Sequence, residues 1–107
     1  LNKLNRMNEL ITQRVKDAVY EFDSEAAIFF FGSRARSDFR PDSDRDFLIS
    51  LSQPLDRALK QAIRRRLYQI ELESDTVISS LIHYRQDWED RSVMPIYENI
   101  QLEGVQL

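Results

Sequence analysis

The feature that most constrains this chain is a pair of apolar segments held a short distance apart. Residues 26–31 read AAIFFF and run into Gly32; residues 44–51 read DRDFLISL. The first is short, continuous and aromatic, which favours a buried strand over a helix. The second alternates, with Asp44, Asp46 and Leu48 on one side and Arg45, Phe47 and Ile49 on the other. Only residues 32–43 lie between them. A parallel crossover with its own helix needs at least that many residues, so an antiparallel connection is expected.

The remaining segments fit around that pair. In residues 2–22, Leu4, Met7, Ile11, Val15, Ala18 and Phe22 recur at three- and four-residue steps, one face of an amphipathic helix. Pro54 opens a second helix over 55–72, with Leu55, Leu59, Ile63, Leu67 and Ile70 inward. Residues 75–84 (DTVISSLIHY) are rich in β-branched residues and read as a third strand. Strand, helix and strand in that order predict a right-handed crossover, with strands two and three as parallel neighbours. A short helical turn is expected around 87–90 and a last helix over 95–103, beginning at Pro95 and ending before Gly104. The expected fold class is α/β (α+β): a small mixed three-stranded core sheet, with strands near 26–31, 44–51 and 75–84, packed with three helices. Residues 1–107 form one domain on this reading, without linker or repeat.

Composition narrows the function. No apolar run approaches the roughly 18 residues of a membrane span, and the polar N-terminal stretch is not a secretory leader. The chain begins at Leu1 and not at methionine, so residues upstream of it are expected. Cysteine is absent, which excludes disulfides and thiolate metal sites; the cytoplasm is the expected location. A net charge of −3 provides no basic field for nucleic acid. Arg64-Arg65-Arg66 is followed by Glu71 and Glu73 and reads as a solvated helix face, and the lone His83 cannot build a multi-histidine metal site.

The chemistry is concentrated in FGSRARSDFRPDSDRDFLIS, residues 31–50. Asp44 and Asp46 are two apart on a strand and leave the same face, so their carboxylates can converge on one hard cation. Asp75, at the entry of the neighbouring strand, can add a third; Glu73, two residues earlier, is the alternative. Clustered carboxylates repel one another unless a metal neutralises them, and a divalent pair can clamp the attacking and leaving oxygens of a phosphoryl transfer. Gly32 permits a sharp turn and close approach of a ligand. The Ser33 hydroxyl and nearby N–H groups can then grip phosphate oxygens, with Arg34 and Arg36 adding charge. An isolated D-x-D is usually structural, so the pattern has weight only as a whole. Asp42, Asp44 and Asp46 match the first ligand positions of an EF-hand, but Phe47 replaces its glycine and Gln53 its glutamate, which excludes that loop.

Gly32-Ser33, ten intervening residues and Asp44-Arg45-Asp46 resemble the G-S-x10-D-x-D signature of the minimal nucleotidyltransferases of the DNA polymerase β-like superfamily. SDTVIS around Asp75 and the closing IYENIQLEGVQL are similar as well, so the resemblance covers nearly the whole chain, with residues 32–46 its diagnostic part. It implies that Asp44, Asp46 and Asp75 bind Mg2+, in a two-metal site, and that Asp75 helps deprotonate the acceptor. Gly32 and Ser33 would hold the nucleotide phosphates, and AMP would pass from ATP to a hydroxyl. The chain departs from the pattern at Ser37, where a second glycine is usual. The resemblance further implies a small helical HEPN-type toxin as partner and a tyrosine of that toxin as AMPylation acceptor, making this chain the antitoxin; homo-oligomers are compatible with it. Two other readings accompany it: a non-catalytic antitoxin acting by contact, and nucleotidyl transfer to a small molecule.

Overall fold

In a computed structural model of the chain, one aromatic pair fixes the register of the sheet. Phe30 and Phe47 stand opposite each other on antiparallel strands, their rings stacked at 5.1 Å between centroids and 26° between planes. Cross-strand aromatic pairs of this kind stabilise one register over its neighbours, because a one-residue slip would turn both rings out of the core. The structure describes residues 3–31, 44–89 and 104–107.

The elements run α1 (Lys3–Tyr20), β1 (Ala27–Phe31), β2 (Arg45–Leu51), α2 (Arg57–Ser74), β3 (Ile78–Tyr84), α3 (Arg85–Glu89) and β4 (Val105–Gln106). The sheet order is β3-β2-β1-β4. As the short connection requires, β1 and β2 are antiparallel, and the crossover through α2 makes β2 and β3 parallel. The expected three-stranded core gains a fourth member: β4 pairs antiparallel with β1, and the Leu107 N–H donates to the Ile28 carbonyl at 2.8 Å. Two residues are too few for any periodicity, so β4 exists through the unfilled edge of β1. The helix expected over 95–103 lies outside the described residues.

One face of the sheet forms the core. Ile28, Phe30, Phe47, Ile49, Leu51, Ile78 and Ile82 pack with Ile11, Val15, Ala18 and Val19 of α1 and Ile63, Leu67 and Ile70 of α2. Among the described side chains, Ile11, Val15 and Ala18 of the α1 stripe and Ile63, Leu67 and Ile70 of the α2 stripe are buried as the spacing predicts, with Phe22, Leu55 and Leu59 partly so. Asp56, not Pro54, caps α2, its carboxylate accepting the Leu59 N–H at 2.7 Å. Arg14 of α1 pairs with Glu73 near the far end of α2. The opposite face of β2 presents Asp44 and Asp46 at its start and buried Leu48 and Ser50 farther along. The fold therefore gives β2 one side packed in the main core and another that carries both carboxylates at its start and is buried farther along.

Candidate active site

Asp44 lies at the entry of β2, exposed, and Asp46 one pleat farther in, half-buried. Their spacing of two puts both carboxylates on the face away from the helices. The residue between them points the other way: Arg45 is 3% exposed, and its guanidinium donates to the Thr76 hydroxyl. Thr76 follows the C-terminus of α2, the negative end of the helix dipole, which favours a buried cation there. The Arg45 N–H also donates to the Val77 carbonyl at 3.0 Å, the first rung between β2 and β3. The carboxylate pair is thus anchored from beneath by the residue that separates it.

The electrostatics set the two carboxylates against each other. Burial raises the pKa of Asp46 above its ordinary value, and the negative charge of Asp44 raises it further. The residue beside Asp46 on β1 is Phe31, and on β3 it is Ser79. The Ser79 hydroxyl donates to Asp44 Oδ2 at 3.1 Å. Reading for acidic residues alone passes over Ser79. It becomes visible only once the parallel register is counted from the start of β3.

That start differs from the expected one. Asp75 is not a strand residue: it is the C-cap of α2, exposed, in the left-handed conformation with φ 52° and ψ 46°. Aspartate tolerates this conformation better than most residues, so the helix reaches Ser74 and β3 begins only at Ile78. The Glu71 carboxylate accepts the Ile78 N–H at 2.8 Å and pins the junction. Glu73, the alternative third carboxylate, lies within α2 and is engaged by Arg14. The described residues therefore bring Asp44 and Asp46 together and leave Asp75 and Glu73 on the helix. Among the described residues, no three His, Cys, Asp or Glu side chains form a group able to hold a metal ion. Gly32, Ser33, Arg34 and Arg36 lie outside the described residues. A shallow cavity of about 260 Å³ lined by Ser52, Tyr84, Arg85 and Gln86 is at the other end of β2 and β3, away from the carboxylates.

A family model described as a nucleotidyltransferase domain matches residues 12–102, from within α1 to just short of β4. The chain belongs to the nucleotidyltransferase domain family. No curated protein matches it in sequence. Among solved structures, this nucleotidyltransferase domain is similar to a chain of "Crystal structure of the toxin-antitoxin with AMP-PNP". The TM-score is 0.61 at 14% identity, covering 88% of this chain and 69% of that one. At that identity the likeness extends to the fold. The family match supports nucleotidyl transfer from a nucleoside triphosphate, a reaction that in this family generally uses Mg2+. Paired carboxylate oxygens are the hard donors Mg2+ prefers, and Mg2+ commonly takes one or two carboxylates plus substrate phosphates. Asp44 and Asp46 fit that requirement.

Proposed function

We propose that this nucleotidyltransferase transfers AMP from ATP to a hydroxyl, with a tyrosine of a HEPN-type toxin as the acceptor, and so serves as the antitoxin of a cytoplasmic toxin–antitoxin pair. The observation that carries the reaction is the carboxylate pair: Asp44 and Asp46 share one face at the entry of β2, and burial and mutual repulsion hold Asp46 above its ordinary pKa. Such a pair is electrostatically unsatisfied until a cation joins it. The magnesium ion would supply charge neutralisation on the phosphates. The protein's own task is to hold the carboxylates in place through Arg45, Ser79 and the sheet register. The acceptor oxygen forms a bond to the α-phosphorus, the bond from that phosphorus to the bridging oxygen breaks, and pyrophosphate leaves with the electron pair. The acceptor proton passes to a base or to solvent. Gly32, Ser33, Arg34 and Arg36 are the proposed phosphate contacts, on the pattern of their sequence.

The toxin partner is supported by two things: the resemblance of the Gly32–Asp46 signature to the minimal nucleotidyltransferases, and the fold shared with a chain from a toxin–antitoxin structure. Among the described residues no helix is long and apolar enough to cross a membrane. A contact-only antitoxin is the second reading, favoured by the finding that the described residues bring two carboxylates and not three to the site. The test is to incubate the protein with Mg2+ and ATP labelled on the α-phosphate, with and without the product of the neighbouring gene as the candidate toxin. Label on the toxin that requires Mg2+ and disappears in Asp44→Asn is the expected result. Full neutralisation of the toxin by an Asp44→Asn, Asp46→Asn double variant would instead establish action by contact. Label appearing on a small molecule with no protein partner present would move the acceptor to that class.

A further inference from the structure

The position beside the carboxylate pair on β3 is occupied by a neutral residue. The parallel register sets Ser79 against Asp46, so Asp44, Asp46 and Ser79 leave the same face of the sheet. The Ser79 hydroxyl donates to Asp44 Oδ2 at 3.1 Å, which holds that carboxylate in one orientation before any ligand arrives. On β1 the corresponding position is Phe31, which has no donor atoms. Among the described residues, the acidic side chains at the α2–β3 junction do not stand on β3 beside the pair. Glu73 pairs with Arg14 and Glu71 accepts the Ile78 N–H, while Asp75 lies at the C-terminus of α2, which it caps through its backbone N–H, and not on β3. Asp23 is bonded to Ser52, past the other end of β2.

Charge then decides how many ions the sheet can hold. One divalent ion is balanced by two carboxylates and completes its shell with nucleotide phosphates and water. A second ion about 3.5–4 Å away needs anionic oxygen of its own, and a serine hydroxyl that already donates to Asp44 supplies none. Resting on the nucleotidyl-transfer reading above, we propose that this chain binds a single magnesium ion, delivered together with the nucleoside triphosphate, and that Ser79 sets this number. Ser79 is a positioning residue for Asp44, and it occupies the place where a carboxylate would admit a second ion on the acceptor side. The acceptor hydroxyl is therefore activated without a second ion held by β3.

The test counts ions and does not depend on turnover. The unmutated protein is titrated with Mn2+, read by its paramagnetic resonance, in the presence of a non-hydrolysable ATP analogue and in its absence. One ion per chain is expected, with binding strengthened by the analogue. Ser79→Asp is expected to bind two ions per chain in the presence of the analogue, while Ser79→Ala still binds one, more weakly, and Ser79→Thr restores the affinity. Two ions per unmutated chain would overturn the proposal and leave nucleotidyl transfer standing; this arm needs no variant to fold. One ion in a folded Ser79→Asp, verified by its melting curve, would overturn the role given to Ser79. Absence of any analogue-dependent Mn2+ binding would remove the nucleotide site itself, and the single-ion proposal with it.

Discussion

The two ends of β2 each involve an aspartate withdrawn from solvent, and the two are treated in opposite ways. Beyond the C-terminal end, Asp23 is buried and accepts from the Ser52 N–H at 2.7 Å, the Ser52 hydroxyl at 2.7 Å and the Glu25 N–H at 3.0 Å. Burial alone would raise its pKa, but the hydrogen bonds from Ser52, Glu25 and Gln53 outweigh that and hold it below its ordinary value. At the N-terminal end, Asp46 has burial and the charge of Asp44 acting in the same direction, upward. One carboxylate is satisfied by the protein and ties α1 to the end of β2. The other has no compensating donor among the described residues. Burial by itself does not distinguish structure from function; the presence or absence of compensating donors does.

The largest effects should separate the two ends cleanly. Asp46→Asn is expected to reduce AMP transfer by roughly 10²–10³-fold or more, on the scale of removing one preorganised electrostatic group. Its melting temperature should be equal to or higher than that of the parent, since a repulsion is removed. Asp23→Ala should do the reverse. It strips a buried network of charge-assisted bonds, costing about 2–3 kcal/mol, or a fall in melting temperature on the order of 10 °C for a domain of this size. Transfer per folded molecule should be unchanged. Parallel assays of transfer and thermal unfolding would decide. A stable Asp23→Ala, or an unfolded Asp46→Asn, would break the comparison.

How much of this was legible beforehand differs along the chain for physical reasons. A period of 3.6 is enough for α1 and α2, a short continuous aromatic run for β1 and a period of two for β2, and the short connection between β1 and β2 is enough for their antiparallel pairing. The two faces of β2, with Asp44 and Asp46 opposite Arg45, Phe47 and Ile49, follow from alternation alone. β3 was extended too far toward its N-terminus because Thr76 and Val77 are good strand formers. The helix instead continues to Ser74 and closes on Asp75 in a conformation usually assigned to glycine. That three-residue difference hid Ser79, since which residue faces Asp46 depends on where the strand starts and how it registers. The tie between Asp23 and Ser52 spans 29 positions and has no local sequence signature.

A smaller effect follows from the pH dependence. Asp46 has a raised pKa, so its ionisation works against the folded state, and that penalty is relieved as pH falls through the window just above 3.8. Asp23 has a lowered pKa, so its contribution is complete above 3.8 and is lost as pH falls below it. Mn2+ affinity should therefore decline as pH drops toward that window while circular dichroism still reports a folded chain, and unfolding should follow at lower pH. His83 adds a slope of its own. Burial, reinforced by Arg85, holds its pKa below 6.5 against the Tyr84 carbonyl and Asp87. Its neutral form stabilises the fold fully above 6.5, and that contribution shrinks as pH falls from there. His83→Gln should flatten this slope without altering the loss of metal. Simultaneous loss of metal and fold in that variant would mean that the two ends of β2 do not titrate independently.

The smallest expected effect bears most directly on where the site ends. Asp75 pays a conformational penalty at φ 52° that glycine does not. Asp75→Gly should therefore stabilise the helix end by up to about 1 kcal/mol, partly offset by the greater freedom of glycine in the unfolded chain. If Asp75 serves only as a helix cap, through its backbone N–H to the Glu71 carbonyl, transfer and Mn2+ stoichiometry stay at the parental values while the melting temperature rises slightly. Asp75→Asn, which keeps tolerance of the left-handed conformation, should match the parent in all three. A tenfold loss of transfer in both variants, with stability preserved, would place the Asp75 carboxylate in the reaction. The contrast between the two ends of β2 would then extend across the α2–β3 junction, because a helix cap would be serving the same unsatisfied cluster as Asp44 and Asp46.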